Sequence, residues 1–230
     1  MSDARGPAAR QFKAIFFDID GTLIDSNDMH VAAWEEAFAE MGANFDRQTL
    51  HDQMGKGTDM LVPTLLPDID EDAQEKLGDA HGRIFKAKFL DKAKPFVGAH
   101  DLLAHAHALG QQVVLASSAS AAELDHYLDL LGARALVSAT TSSDDVEQTK
   151  PAPDIFATAL AKLPGISAAE VLVVGDTPYD IEAAMKCGIA AVALRSGKFT
   201  DAVLGAAGAT AIYDDAAALL ADYGNSPLGR

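Results

Sequence analysis

Five short runs of apolar residues, none alternating with polar ones, restrict this chain more than any other feature. They are Ala14-Ile15-Phe16-Phe17, Val113-Val114-Leu115-Ala116, Ala135-Leu136-Val137, Val171-Leu172-Val173-Val174 and Ala191-Val192-Ala193-Leu194. A strand with one wet face alternates, whereas an unbroken apolar strand is buried on both faces, as in a parallel sheet covered by helices. The third run is the weakest, and a sixth strand fits Ala209 to Tyr213. Helix-length segments at 98–109, 121–131, 152–163 and 179–187 flank the later runs, with Gly132 and Gly188 as stops. Strand and helix alternate, which predicts an α/β fold: an open parallel sheet with crossover helices.

The interval between the first run and the rest breaks that alternation. Residues 28–41, 58–66 and 70–90 read as helices, Gly82 weakening the last, and no strand is evident among them. Pro95 and Gly98 make a return hinge. The predicted organisation is therefore a discontinuous α/β core (residues 11–25 and 96–230), a helical cap inserted after the first strand (26–95) and a disordered tail (1–10). A chain of 230 residues is long enough for a core plus such an insertion.

Charge and cysteine usage narrow the classes. Lys and Arg number 18 against 34 Asp and Glu, a formal charge of −16, which repels phosphate backbones and argues against nucleic-acid binding. The one cysteine, Cys187, excludes a disulfide framework and any multi-thiolate metal centre. Residues 1–10 lack the apolar core of a secretory signal, and no stretch reaches the roughly 18 apolar residues of a membrane span. The expectation is a cytoplasmic protein without membrane partners, a monomer or a weak dimer.

Four short elements carry chemistry, and each follows a strand, where open parallel sheets bind ligands. Asp18-Ile19-Asp20-Gly21-Thr22 comes directly after Phe17. Gly21 permits a sharp turn, so Asp18 can face a substrate while Asp20 offers its carbonyl to a metal and turns its carboxylate elsewhere. One carboxylate can attack phosphorus, and the second can protonate the leaving oxygen and then deprotonate water. The plainer alternative for this element is a polar turn that caps a helix. Ser117-Ser118 closes the second run and can cradle an anion, although serine there is commonly only a cap. Lys150, in Thr149-Lys150-Pro151, can pair with phosphate oxygens and with Asp18; alone it is equally a surface lysine. Gly175-Asp176-Thr177-Pro178-Tyr179-Asp180 offers hard oxygens of the kind magnesium takes, with Asp176 reaching the ion and Asp180 either binding it or positioning Lys150.

In this order — aspartate pair, helical insertion, serine, lysine-proline, glycine-aspartate pair — the chain from about Ala14 to Tyr213 resembles the haloacid dehalogenase-like superfamily, in its branch with a helical cap. The resemblance implies a Rossmann-like core, Mg²⁺ and phosphoryl transfer through a phosphoaspartate. It implies Asp18 as nucleophile and Asp20 as acid/base. Thr22, Ser117, Ser118 and Lys150 become substrate contacts, and Asp18, Asp20 and Asp176 become metal ligands with Asp180 in support. Halide-displacing and phosphonate-cleaving members lack the second aspartate, which Asp20 supplies here. Phosphomonoester hydrolysis or phosphosugar mutation remains.

The cap reads the leaving group. His30, four residues before Trp34 on one helix face, can orient Asp20 or touch substrate; Trp34 reads as core. Met54-Gly55-Lys56-Gly57-Thr58-Asp59 brings backbone and a positive charge to a ligand, with Lys56 as the candidate contact. The cap lacks the arginine signature of the mutases, and Gly175 stands where they carry an acidic residue. The reading is a Mg²⁺-dependent phosphatase of a small phosphorylated metabolite, with a β-phosphoglucomutase-like enzyme as the alternative and a non-catalytic binding module as the rival from another class.

Overall fold

The computed structural model describes residues 12–229, so the expected tail at 1–10 lies outside the described residues, as do residues 11 and 230. Strand β1 (Ala14–Phe17) leads through β2 (Ile24–Asp25) into the helices α1 (Asn27–Glu40), α2 (Arg47–His51), α3 (Thr58–Leu65) and α4 (Glu71–Lys88). The chain returns through β3 (Lys94–Pro95). It continues as α5 (Ala99–Ala108), β4 (Gln112–Ala116), α6 (Ala121–Leu130), β5 (Val137–Thr141), α7 (Asp154–Ala161), β6 (Val171–Gly175), α8 (Pro178–Lys186), β7 (Ala190–Leu194), α9 (Asp201–Ala207), β8 (Ala211–Tyr213) and α10 (Ala216–Ala221).

Six strands form one parallel sheet in the order β5-β4-β1-β6-β7-β8. Strand direction explains the continuous apolar runs, because alternate residues of the same strand enter different cores. Ile15, Phe17, Leu115 and Val174 meet Leu103 of α5, Leu124 of α6 and Leu219 of α10 on one face. Phe16, Val114 and Val173 meet Phe156 of α7, Ile181 of α8 and Leu204 of α9 on the other. The four helices between β2 and β3 close over a third cluster of their own, in which Trp34 and Phe38 pack with Leu50, Leu61, Leu77 and Phe85. Among the described residues no helix is long and apolar enough to cross a membrane.

Three elements differ from the sequence expectation. The weak third run ends where its strand begins: β5 spans Val137–Thr141, and Ser138 drops out of register as Val113 pairs with Val137 and Val114 with Ala139. As an edge strand, β5 buries little of itself, so hydroxyl residues suffice. Helix α2, five residues long, is too short to show a period. The residues from 26 to 95, read as free of strands, contain β3, which pairs antiparallel with β2 (Ile24 opposite Pro95, Asp25 opposite Lys94). Backbone pairing two residues long leaves no side-chain pattern to read.

Candidate active site

Parallel register brings the chemical elements to one edge. Phe17 lies beside both Leu115 and Val174, so the residues that follow β1, β4 and β6 leave the sheet together. The Asp18 amide donates to the Val174 carbonyl (2.9 Å) and the Ser117 amide to the Thr141 carbonyl (3.0 Å). The strand order reverses about β1, the switch point where such sheets open a crevice.

Lys150 is fully buried and its Nζ donates to Asp18 Oδ1 (2.5 Å) and Asp180 Oδ1 (2.7 Å). Burial alone disfavours the ammonium, but the two carboxylates outweigh it and hold the lysine protonated. Carboxylate oxygens of Asp18, Asp176 and Asp180 lie within 4.8 Å of one another, all buried. Burial pushes the Asp18 carboxyl up to about 7, opposed by Lys150 and reinforced by Asp180. Burial, then the charges of Asp18 and Asp180, raise Asp176 well above the carboxylate range. One ammonium thus faces three acids. The deficit of positive charge, together with hard oxygen donors, fits a divalent cation of the magnesium type.

The surroundings keep these groups in place. Thr22, expected to contact substrate, is instead fully buried and does not line the cavity; its hydroxyl lies 2.8 Å from Asp176 Oδ1 and 3.3 Å from Asp18 Oδ2. Asn27 Nδ2 donates to Asp176 Oδ2 (2.9 Å). Gly21 holds φ at +78°, and a Cβ there would stand 2.1 Å from Asp176 Oδ2, so a side chain at 21 would displace the acid. Asp180 has both oxygens engaged: Oδ1 accepts from Lys150, and Oδ2 accepts from the Thr177 amide (3.1 Å) and hydroxyl (2.6 Å) at the start of α8.

Asp20 turns away from this cluster. Its Oδ1 accepts from Ser26 Oγ (2.6 Å) and lies 3.1 Å from His30 Nε2. Ser26 stands at the N-cap of α1, yet its hydroxyl serves Asp20 and makes no capping bond. Burial raises the Asp20 carboxyl, but the His30 charge and the bonds from His30 and Ser26 override it and hold it below the usual range. Burial lowers His30, and the Asp20 carboxylate more than reverses this.

Asp18, Asp20, His30, Lys56, Ser117 and Ser118 line a cavity of about 680 Å³ between the helical segment and the sheet edge. Lys150, Asp176 and Asp180 lie beneath its floor, outside the lining. Ser118 Oγ donates to the Gly55 carbonyl (3.0 Å), and Ser117 Oγ accepts from the Ala119 amide (3.0 Å). Asp59 accepts from the Thr149 amide (2.8 Å), tying the cap loop to the residue before Lys150. Lys56 Nζ donates to Gln53 Oε1 (2.7 Å) above the Tyr179 ring (4.6 Å), and burial lowers its pKa. Cys187 is half-buried, with Sγ 3.3 Å from the Pro153 carbonyl and its thiol pushed up by burial.

Sequence reasoning passed over Asn27, His81 and the purpose of Gly82. Asn27 had a faint signal, as a polar residue at the start of α1 seven positions after Asp20. His81 had none. Gly82 was read only as a weak point of α4, yet it lines the cavity, and a Cβ there would meet nothing within 4 Å.

A family model described as haloacid dehalogenase-like hydrolase matches residues 15–194. The chain is 32% identical over 88% of its length to the chloroplastic protein SUPPRESSOR OF QUENCHING 1 of Arabidopsis thaliana, but spans only 19% of that protein. It is 27% identical to the fructose-1-phosphate phosphatase YqaB of Escherichia coli K12, over 80% of this chain and 97% of that one. The crystal structure of a hydrolase from Pseudomonas syringae superposes with a TM-score of 0.87 at 28% identity, covering 93% of this chain and 98% of its own.

Proposed function

Because the chain belongs to the haloacid dehalogenase-like hydrolases, we propose that it is a Mg²⁺-dependent phosphatase that hydrolyses a small phosphorylated metabolite through an aspartyl phosphate on Asp18. The observation that carries this reading is the division of labour between two aspartates two residues apart. Asp18 sits against Lys150 at the cavity floor, while Asp20 is held off the acidic cluster by Ser26 and His30.

In the first step an Asp18 oxygen attacks phosphorus, the bond from phosphorus to the leaving oxygen breaks, and Asp20 passes to that oxygen the proton that His30 holds against it. In the second, the water oxygen bonds to phosphorus as the phosphorus–Asp18 bond breaks, Asp20 takes the water's proton and returns it to His30, and inorganic phosphate leaves. Lys150 pairs with Asp18 throughout and offsets charge on the phosphoryl group; Ser117 and Ser118 face that group from the end of β4. Asp18, the Asp20 carbonyl and Asp176 would hold the magnesium ion, with Asp180 anchoring Lys150 beside them. When bound, the ion supplies positive charge that lessens repulsion between a carboxylate nucleophile and an anionic ester. Lys56 and the loop around it read the leaving group. Phosphate release from a panel of sugar phosphates and small acid phosphates with Mg²⁺ tests the proposal; isomerised sugar phosphate without free phosphate would overturn it.

Cation binding should follow pH in a defined sense. Without metal, the Asp18 pKa rises on folding from 3.8 to about 7, so its contribution to stability is complete below pH 3.8 and lost as pH rises through about 7. A cation competes with that proton, and with the one on Asp176. The gain in thermal midpoint on adding Mg²⁺ to chelator-treated protein should therefore be larger at pH 8 than at pH 5.5. Equal gains would detach the ion from these acids.

Gly82 gives a second expectation. An interior helix glycine is less stable than alanine by about 0.5–1 kcal/mol, and here the missing side chain leaves cavity space. Gly82→Ala should raise the thermal midpoint, while Gly82→Leu should slow turnover of larger sugar phosphates more than of small ones. Uniform loss across substrate sizes would show that the space at 82 is not used.

A further inference from the structure

Two rings of α1 meet two rings of α4 in register. His30 and Trp34 are four residues apart on α1, and His81 and Phe85 are four apart on α4, so each pair shares a helix face. His30 stacks on Phe85 (centroids 3.8 Å, planes 7° apart), and His81 stacks on Trp34 (4.1 Å, 13°). Both imidazole planes are thereby fixed. Edge to edge, His30 Nδ1 lies 3.3 Å from His81 Nε2, while His30 Nε2 faces Asp20 Oδ1 at 3.1 Å. With the Nε2 proton of His30 turned to the carboxylate, the contact with His81 is what is left to hold the other side of the ring.

We infer that His81 is a positioning residue for the acid/base aspartate, bracing His30 so that His30 keeps the Asp20 carboxyl directed at the leaving oxygen. It lines the cavity behind His30 and lies in none of the four elements that carry the chemistry. The inference rests on the phosphatase reading and adds a residue to it. Without His81, the His30 ring keeps its stack on Phe85 but loses its partner at Nδ1. It can then rotate or flip within the stack, and Asp20 follows it.

The test uses the chemistry of a proton donor. Leaving groups that are poor, such as the alkoxides of sugar phosphates, need protonation; p-nitrophenolate does not. We compare kcat/KM, which reports on phosphoryl transfer to Asp18, across aryl and alkyl phosphates for the wild type, His81→Ala, His81→Gln and His81→Asn. His81→Ala should lose about 10–100-fold toward alkyl phosphates, part of the roughly 10²–10⁴ that acid–base assistance supplies, and far less toward p-nitrophenyl phosphate. Glutamine places its amide where Nε2 stood and should recover most of the loss; asparagine falls short of that position and should not. A uniform loss over all esters, or glutamine no better than asparagine, would mean that His81 only packs. If wild-type protein releases phosphate from every class and His81→Ala leaves the leaving-group dependence unchanged, the His81 inference alone fails. If wild type releases none from any ester, the phosphatase reading fails with it.

Discussion

Replacing Asp18 with asparagine should lower phosphate release by a factor on the order of 10⁵–10⁶, the scale of loss when a covalent nucleophile is removed. The amide keeps the size of the carboxyl but has no charge and no nucleophilic oxygen. The fold should survive. Asp18 is nearly buried (3% exposed) beside Asp176 and Asp180, and burial already drives it toward its neutral form. A neutral amide therefore removes repulsion among buried acids and leaves Lys150 its partner at Asp180. Metal-free Asp18→Asn should accordingly melt no lower than metal-free wild type by more than a few degrees. Acid quenching of the reaction should trap phosphorylated protein from wild type and none from the variant. Turnover within about tenfold of wild type would remove Asp18 as the nucleophile.

Lys150→Met should fail in both respects. The ammonium is the one positive group inside the acidic cluster among the described residues, and it makes both of its short contacts with carboxylates. Removing one partner of a buried ion pair costs about 3–5 kcal/mol, on the order of 10 °C in melting temperature for a chain of this length. Activity should fall as well, because nothing then offsets the charge on Asp18 and the phosphoryl oxygens. The double variant Asp18→Asn/Lys150→Met separates the two effects. With one carboxylate neutralised, part of the stability should return, giving a clear coupling between the two sites, while activity stays absent. Lys150→Met as stable as wild type would show that the buried pair does not matter to the fold.

The parts of the molecule legible from sequence are those whose signal is local. The runs from Ala14, Val113, Val171 and Ala191 onward are strands buried on both faces, and an unbroken apolar stretch says so without reference to any partner. The polar segments that follow them carry Asp18, Ser117 and Asp176, and parallel strand direction alone brings these to one edge. β5 was harder because an edge strand need not be apolar, and its serine and threonine residues look like a turn. The β2–β3 ribbon is two residues wide and rests on backbone bonds, which no side-chain pattern announces.

The environment of each acid was a different matter. Asp18 and Asp20 are the same residue type two positions apart, yet burial raises one while Ser26 and His30 lower the other. Thr22 belongs to the same five-residue element and faces the acids rather than the cavity. His81 lies 51 residues from the histidine it meets, and its spacing along α4 marks it neither as core nor as site. The buried strands, their parallel direction and the aspartates that follow them were thus legible in the sequence, since unbroken burial acts over a few residues, whereas the order of the strands in the sheet came from the structure. Which carboxyl is pushed up and which is held down, and which ring meets the histidine beside Asp20, were decided by tertiary structure, since desolvation and ring stacking depend on how α1 packs against α4 and on what closes over the sheet.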